Sequence, residues 1–254
     1  MPRYKITLEY DGKNYAGWQR QPDRPSIQQA LEESAYKFSG ENVEVLGAGR
    51  TDAGVHATAQ VAHLDFSKEH DPYRVMQGLN FHLFGQQTSD DPVLNQIAVT
   101  GCEQVPDDFN ARFSATRRHY LYRIINRRAR LALEAGRAWH VVESLDLKAM
   151  QAAAKQLIGN HDFTSFRDTE CQAMSPVKTL DMLDVQRVQD NVIVRCHARS
   201  FLHHQVRIMV GSLVLVGKGR WSPDDIKSAL EARDRTAAGP TAPADGLFLV
   251  QVDY

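Results

Sequence analysis

Cysteine is scarce in this 254-residue chain: Cys102, Cys171 and Cys196 are odd in number and far apart. That argues against a disulfide framework and against zinc-ribbon spacing, and for reduced thiols. Long hydrophobic runs are missing. The longest, Ile208 to Gly217, has ten residues, about half a membrane span. The opening residues, Met1-Pro-Arg-Tyr-Lys-Ile-Thr-Leu-Glu-Tyr10, lack the apolar stretch of a signal peptide. A cytoplasmic protein with no membrane partner is therefore expected. There is no strict internal repeat and no low-complexity tract. Neither sign of charge dominates, since 30 Lys and Arg face 31 Asp and Glu. With 43% hydrophobic and 24% charged residues, the chain is ordinary globular material, long enough for one large or two small domains.

The near-neutral total hides one basic stretch. Between Arg112 and Arg137 stand eight arginines and a single acid, Glu134, a net +7 over 26 residues. Guanidinium forks pair bidentately with phosphate and stack on bases. The stretch is either a solvated face of a strand and its following loop, or a surface for a polyanion such as nucleic acid. Arg117, Arg118, Arg127 and Arg128 are its candidate RNA contacts.

The most informative run is Gly47-Ala-Gly-Arg-Thr-Asp-Ala-Gly-Val-His-Ala57. Apolar alternating stretches flank it, Val43-Glu-Val-Leu46 before and Ala59-Gln-Val-Ala-His-Leu-Asp-Phe66 after, so it reads as a glycine-rich turn between strands. Such a turn brings backbone close to a ligand and exposes polar side chains, here Arg50 and Asp52. A dinucleotide fingerprint fails because Asp52 stands where the third glycine belongs and a strand pattern follows. A P-loop fails because no Gly-Lys-Ser/Thr follows. Asp52 is then either a turn residue capping nearby amides or a nucleophile or base.

Periodicity orders the rest. Tyr4 to Tyr10 alternates as a strand. Ser26-Ile-Gln-Gln29 is a capping-box pattern opening a helix to Phe38. Asp71-Pro72 starts a short helix to Leu83, and Asn95 to Cys102 reads as a strand. Arg117 to Ile125 is a strand, and Leu147 to Ile158 a helix ended by Gly159. Val177–Gln186 and Val192–Ala198 form a hairpin around Asp190-Asn191. Phe201 to Val216 reads as an apolar helix, Ser222 to Arg233 as another, Arg235 to Asp245 as a loop, and Leu247 to Tyr254 as a closing strand. The order implies two α/β halves, 1–108 and 109–254. Adjacent strands without intervening helices predict antiparallel or mixed sheet.

Gly49-Arg-Thr-Asp-Ala-Gly-Val-His-Ala57 resembles the signature of the bacterial tRNA pseudouridine synthase A family. Tyr10-Asp-Gly12 with Tyr15-Ala-Gly-Trp-Gln-Arg-Gln21 is similar to the family's N-terminal segment. Val105-Pro-Asp-Asp-Phe-Asn-Ala-Arg-Phe-Ser-Ala-Thr116, followed by Tyr120-Leu-Tyr122, is similar to its central run. Asp162-Phe-Thr-Ser-Phe-Arg167, Phe201-Leu-His-His-Gln-Val-Arg-Ile-Met-Val-Gly211 and Ala244-Asp-Gly-Leu-Phe-Leu249 complete the series in family order. The resemblance implies an isomerase converting uridine to pseudouridine at positions 38, 39 and 40 of the tRNA anticodon arm. It implies no cofactor, no metal and a homodimer. It also implies two related RRM-like α/β halves sharing a mixed, largely antiparallel sheet with a central cleft. Asp52 matches the family's aspartate, acting either by covalent addition or by removing a ribose proton to give a glycal. Arg207 matches the basic residue paired with that aspartate. Tyr120 matches the tyrosine that stacks on the target base, and Arg50 the arginine that assists base flipping. The segment 81–92 is longer than the family's connection and reads as a local lid or surface insertion.

Two other constellations are weaker. His203 and His204 with Cys196 and His197 are metal-ligand types without matching spacing, and His56 near Asp52 packs or contacts RNA. The alternative function is a non-catalytic RNA-binding protein with two RRM-like halves, which the missing aromatic RNP1 run disfavours. An enzyme of free nucleotides leaves the +7 stretch without a purpose.

Overall fold

The computed structural model describes residues 1–84 and 96–254; most of the 81–92 segment expected as an insertion lies outside the described residues. Chain contacts divide the molecule into two compact units. One is Met1–Thr116 with Leu249–Tyr254, the other Arg117–Phe248.

The first unit opens with β1 (Arg3–Tyr10), whose alternation buries Tyr4, Ile6, Leu8 and Tyr10. Helix α1 (Ile27–Ser39) starts where the Ser26 hydroxyl accepts the Gln29 amide and stops at Gly40 in the left-handed region. Both ends carry the residue types that satisfy orphan backbone groups. A two-residue strand β2 (Leu46–Gly47), then β3 (His56–Asp65), α2 (Pro72–Phe84) and β4 (Ile97–Val105) follow. β1 lies between β4 and β3, antiparallel to both, and β2 pairs antiparallel with β3. α1 packs on α2 and α2 on β4. Phe38, Phe66, Tyr4 and His70 close one end of this core with tilted and edge-on ring contacts.

Of the strand expected over Val43 to Leu46, only Leu46 takes part, in β2; Val43 to Val45 does not. α1 side chains take its main chain instead: the Gln28 amide donates to the Val45 carbonyl and the Val45 amide to Glu32 Oε1. Backbone groups need partners, but not necessarily a neighbouring strand.

The second unit runs β5 (Arg117–Asn126), β6 (Trp139–Val141), α3 (Leu147–Lys155), β7 (Gly159–Asp162), β8 (Val177–Val188), β9 (Asn191–Ala198), α4 (Gln205–Gly217) and α5 (Pro223–Ala232). Its sheet order is β5-β9-β8-β7, antiparallel throughout, with β6 added parallel to β5. α3 packs on β8, α4 and α5. α4 is apolar almost all round and accordingly buried almost all round. It begins four residues later than expected because His204 sits at φ +60 as its N-cap, a left-handed conformation that interrupts helix. The chain ends in β10 (Leu247–Asp253), which lies beside β3. The class is the expected mixed α/β with largely antiparallel sheet.

Candidate functional site

The segment from Gly47 to Val55 leaves the short β2 and returns into β3, and it is held at nearly every step. The Ala48 amide donates to the Val61 carbonyl at 2.7 Å. The Gln60 side-chain amide donates to the Gly49 carbonyl at 2.8 Å, while its oxygen accepts the Val61 amide. The Thr51 hydroxyl shares a 2.8 Å hydrogen bond with the Tyr10 hydroxyl, and the Thr51 carbonyl accepts the Trp18 amide at 3.0 Å. The Asp52 carbonyl accepts the Val55 amide, closing a turn whose Gly54 has φ +80.

Close approach explains the glycine at 17. Its φ is +100, and a Cβ there would run into the Thr51 carbonyl oxygen and come within 3.0 Å of the Asp52 carbonyl carbon. The backbone carrying Asp52 thus rests directly on the backbone of the 15–18 segment. Thr51 is buried, between the exposed Arg50 and the half-buried Asp52. The two charged side chains therefore emerge while the residue between them anchors. Burial of Tyr10 beneath this loop pushes its hydroxyl up to about 12, against smaller opposing effects of its bonds to Thr51 and Gln60. His56 is 2% exposed and its Nδ1 accepts the Gly12 amide at 3.1 Å. It is a packing residue, not one offered to solvent.

In the second unit, Tyr120 lies on β5, half-buried, its ring edge-on to Phe201 at 5.2 Å. Arg207 lies in the first turn of α4. It is half-buried, and its Nε donates to the Ala242 carbonyl at 2.8 Å while the Ala242 amide returns a bond to the Arg207 carbonyl. A solvent-facing helix arginine does not make such a reciprocal tie. Of the four candidate RNA contacts, Arg117, Arg127 and Arg128 are exposed. Arg117 lies 3.8 Å from Asp181, and Arg127 3.5 Å from Asp190. Arg118 is 8% exposed, its guanidinium donating to the Arg199 carbonyl at 2.6 Å. That places its charge in the framework of the sheet.

Cys196 is buried on one face of β9 while His197 points to the other, as strand alternation requires. The metal-type residues of this strand do not converge. His204 instead bonds the Asp168 carboxylate, Nδ1 to Oδ2 at 2.7 Å, and the ring of His203 lies 3.9 Å from its own. A hydrogen bond from the Glu170 amide first, then the His204 hydrogen bond and the electrostatic influence of His204 and His203, hold the Asp168 carboxyl below its ordinary range despite partial burial. Sequence reasoning missed the Asp168–His204 pair and the roles of Gly17 and Gln60. Gln60 left one signal, a polar residue at a core register position of β3.

A family model described as tRNA pseudouridine synthase matches residues 6–114 and 153–254. The chain is 60% identical over 254 residues to a protein of Rhodopseudomonas palustris (strain BisB18) named tRNA pseudouridine synthase A, with all of both chains covered. Proteins of the same name from Maricaulis maris (strain MCS10) and Sinorhizobium fredii (strain NBRC 101917 / NGR234) are 57% and 54% identical. These matches cover all of this chain and 98% and 100% of theirs.

Proposed function

The chain belongs to the tRNA pseudouridine synthase family, and we propose that it isomerises uridine to pseudouridine at positions 38, 39 and 40 of tRNA, with Asp52 as nucleophile or base. The observation that carries the role of Asp52 is the clamp beneath it. A backbone pinned by Trp18, Tyr10 and Gln60 reduces the ordering that the Asp52 carboxylate still needs, which supports a role in attack because preorganisation lowers barriers. In the reaction the bond from ribose C1′ to base N1 breaks, the base turns, and C1′ joins C5. N1 takes up a proton and C5 gives one to solvent, so the conversion is an isomerisation with no redox balance to meet. Asp52 either bonds covalently to the nucleotide and is displaced, or removes a ribose proton and returns it.

Arg50, Tyr120 and Arg207 are proposed as substrate-binding residues. Arg50, exposed beside Asp52, assists extrusion of a stacked uridine. Tyr120 offers its ring to the target base, and Arg207 supplies positive charge from α4. The exposed arginines of the basic stretch suit the phosphates of the anticodon arm. A cytoplasmic homodimer acting without metal or cofactor completes the reading; no helix among the described residues is long and apolar enough to cross a membrane. The alternative, an RNA-binding protein without catalysis, shares the basic stretch but gives the Asp52 clamp no purpose.

The deciding experiment measures release of hydrogen label from C5 of uridine in unmodified tRNA. Wild type should release it. Asp52→Asn should release none yet still bind tRNA. A folded wild type that releases nothing from a complete tRNA pool favours the binding protein. An Asp52→Asn variant that loses binding along with turnover makes Asp52 structural.

A further inference from the structure

Phe113 is 76% exposed, on a loop that is anything but loose. Arg3, already paired with Asp65, donates to the carbonyls of Asp107 and Phe109 at 2.7 Å each. The Ala111 amide donates to His63 Nδ1 at 3.1 Å, and the Tyr254 hydroxyl to the Ala111 carbonyl at 2.9 Å. The Asn110 carboxamide oxygen accepts the amides of both Arg112 and Phe113, and the Ser114 hydroxyl accepts the Asn110 amide. Phe109 is packed by Tyr254 and His63, with the Lys5 ammonium over the first two rings. One phenylalanine of this loop is therefore built in, and the other is built out.

A single exposed apolar residue is unremarkable. Two further observations distinguish Phe113. The Arg112 guanidinium lies over its ring, 5.6 Å from the centroid, so the aromatic is presented together with a cation. Ala111, two residues before it, also shares one small apolar cluster with Ala48 and Val61. Ala48 opens the segment that carries Arg50 and Asp52. The base of the Phe113 loop and the base of the Asp52 loop thus rest on the same contact.

We propose that Phe113 is a stacking platform for an unpaired base of the tRNA substrate, with Arg112 beside it for the adjoining phosphate. The inference rests on the tRNA reading above. A rigid, solvated aromatic beside a guanidinium suits a nucleobase, whose π-face is stacked upon without hydrogen-bond readout. It adds an aromatic contact at the start of the basic stretch, which otherwise offers charge.

The test compares Phe113→Ala, Phe113→Leu and Phe113→Tyr in binding to an unmodified tRNA transcript and in the KM and kcat of C5 hydrogen release. Ala and Leu should weaken binding roughly 5- to 150-fold, the range of one base–aromatic stack, with the loss in KM more than in kcat. Tyr should keep the affinity. Phe113→Trp should show tryptophan quenching on adding tRNA beyond that of wild type, which reports stacking even where the Ala variant folds poorly. Wild-type affinity in Leu, or no added quenching in Trp, overturns the proposal. An altered oligomeric state with unchanged tRNA affinity overturns it too and makes Phe113 an interface between protein chains. Failure of the two readings is distinguishable. Release of C5 hydrogen with no effect of Phe113 on binding sinks the platform alone. Loss of binding in the variants without release by wild type sinks the isomerase alone.

Discussion

Two glycines in the left-handed region separate space from conformation. Gly17 (φ +100) faces the Thr51 carbonyl, whereas a Cβ at Gly40 (φ +76), which ends α1, meets nothing within 4 Å. Gly40→Ala should cost roughly 1–2 kcal/mol from conformation alone and leave C5 hydrogen release as in wild type. Gly17→Ala carries a comparable conformational cost, and its methyl must also push the Thr51–Asp52 backbone aside. A displacement of that kind lowers turnover on the order of 100-fold, so its loss of activity should far exceed its loss of thermal stability. Equal turnover in both variants, measured beside their melting temperatures, would mean that the clamp does not position Asp52. Nothing in the sequence marks Gly17 as the stricter of the two. Its neighbour in space lies 34 residues ahead, so only the fold reveals it. The pairing of an exposed Arg50 with a half-buried Asp52 on one turn was legible in outline, because glycines around charged residues at a strand turn have few purposes.

At the level of elements, what local chemistry determines was readable and what distant partners determine was not. α1 and α5 carry their caps in sequence, Ser26 with Gly40 and the Ser222–Asp225 box, and both form where expected. Most of the strand expected at Val43–Leu46 gives way to Gln28 and Glu32, whose reach across to Val45 no periodicity reports. β6 and β7, of three and four residues, are too short to show a period of two. β5 shows the same limit in charge. Its Arg117-Arg118 reads as one basic pair, yet alternation turns Arg118 inward to the Arg199 carbonyl. Arg118→Ala should therefore leave that carbonyl without its donor, at about 1–3 kcal/mol, while the salt dependence of tRNA affinity stays as in wild type. Charge reversal at Arg127 and Arg128, both exposed, should do the opposite. Stability holds, affinity falls, and the slope of log affinity against log salt shrinks by roughly 0.7–0.9 for each phosphate that the variant no longer neutralises. A salt slope that responds to Arg118 and not to the other two would reverse these assignments.

Across the whole molecule, the buried titratable groups set an alkaline limit common to both units. In the first unit burial pushes Tyr10 up to about 12, and burial with the charges of Glu103 and Asp71 pushes Cys102 up to about 12. In the second, burial raises Tyr122, opposed by Arg207, and raises the fully enclosed Cys196. Each folded-state value lies above its unfolded one, so the folded protein holds protons that the unfolded chain releases. Their stabilisation is intact below pH 9, where thiol and tyrosine are protonated in both states. It declines as pH rises through 9 for the thiols and 10 for the tyrosines, and toward 12 for Tyr10 and Cys102. Each fully buried group contributes at most about 1.4 kcal/mol per pH unit within its window; Cys102, partly exposed, contributes less. Denaturant midpoints should thus be level from pH 7 to 9 and fall steeply beyond 10. Tyr10→Phe starts lower, lacking the bonds to Thr51 and Gln60, yet should fall less between pH 9 and 12. Trp18 reports the first unit, Trp139 and Trp221 the second. In a Trp18→Phe background, fluorescence follows the second unit alone. Because Tyr122 and Cys196 lie there, its midpoint should still collapse above pH 10, and Tyr10→Phe should not protect it unless the two units unfold as one. A midpoint that stays level to pH 12 in that background would show that the second unit's buried tyrosine and thiol do not limit its stability.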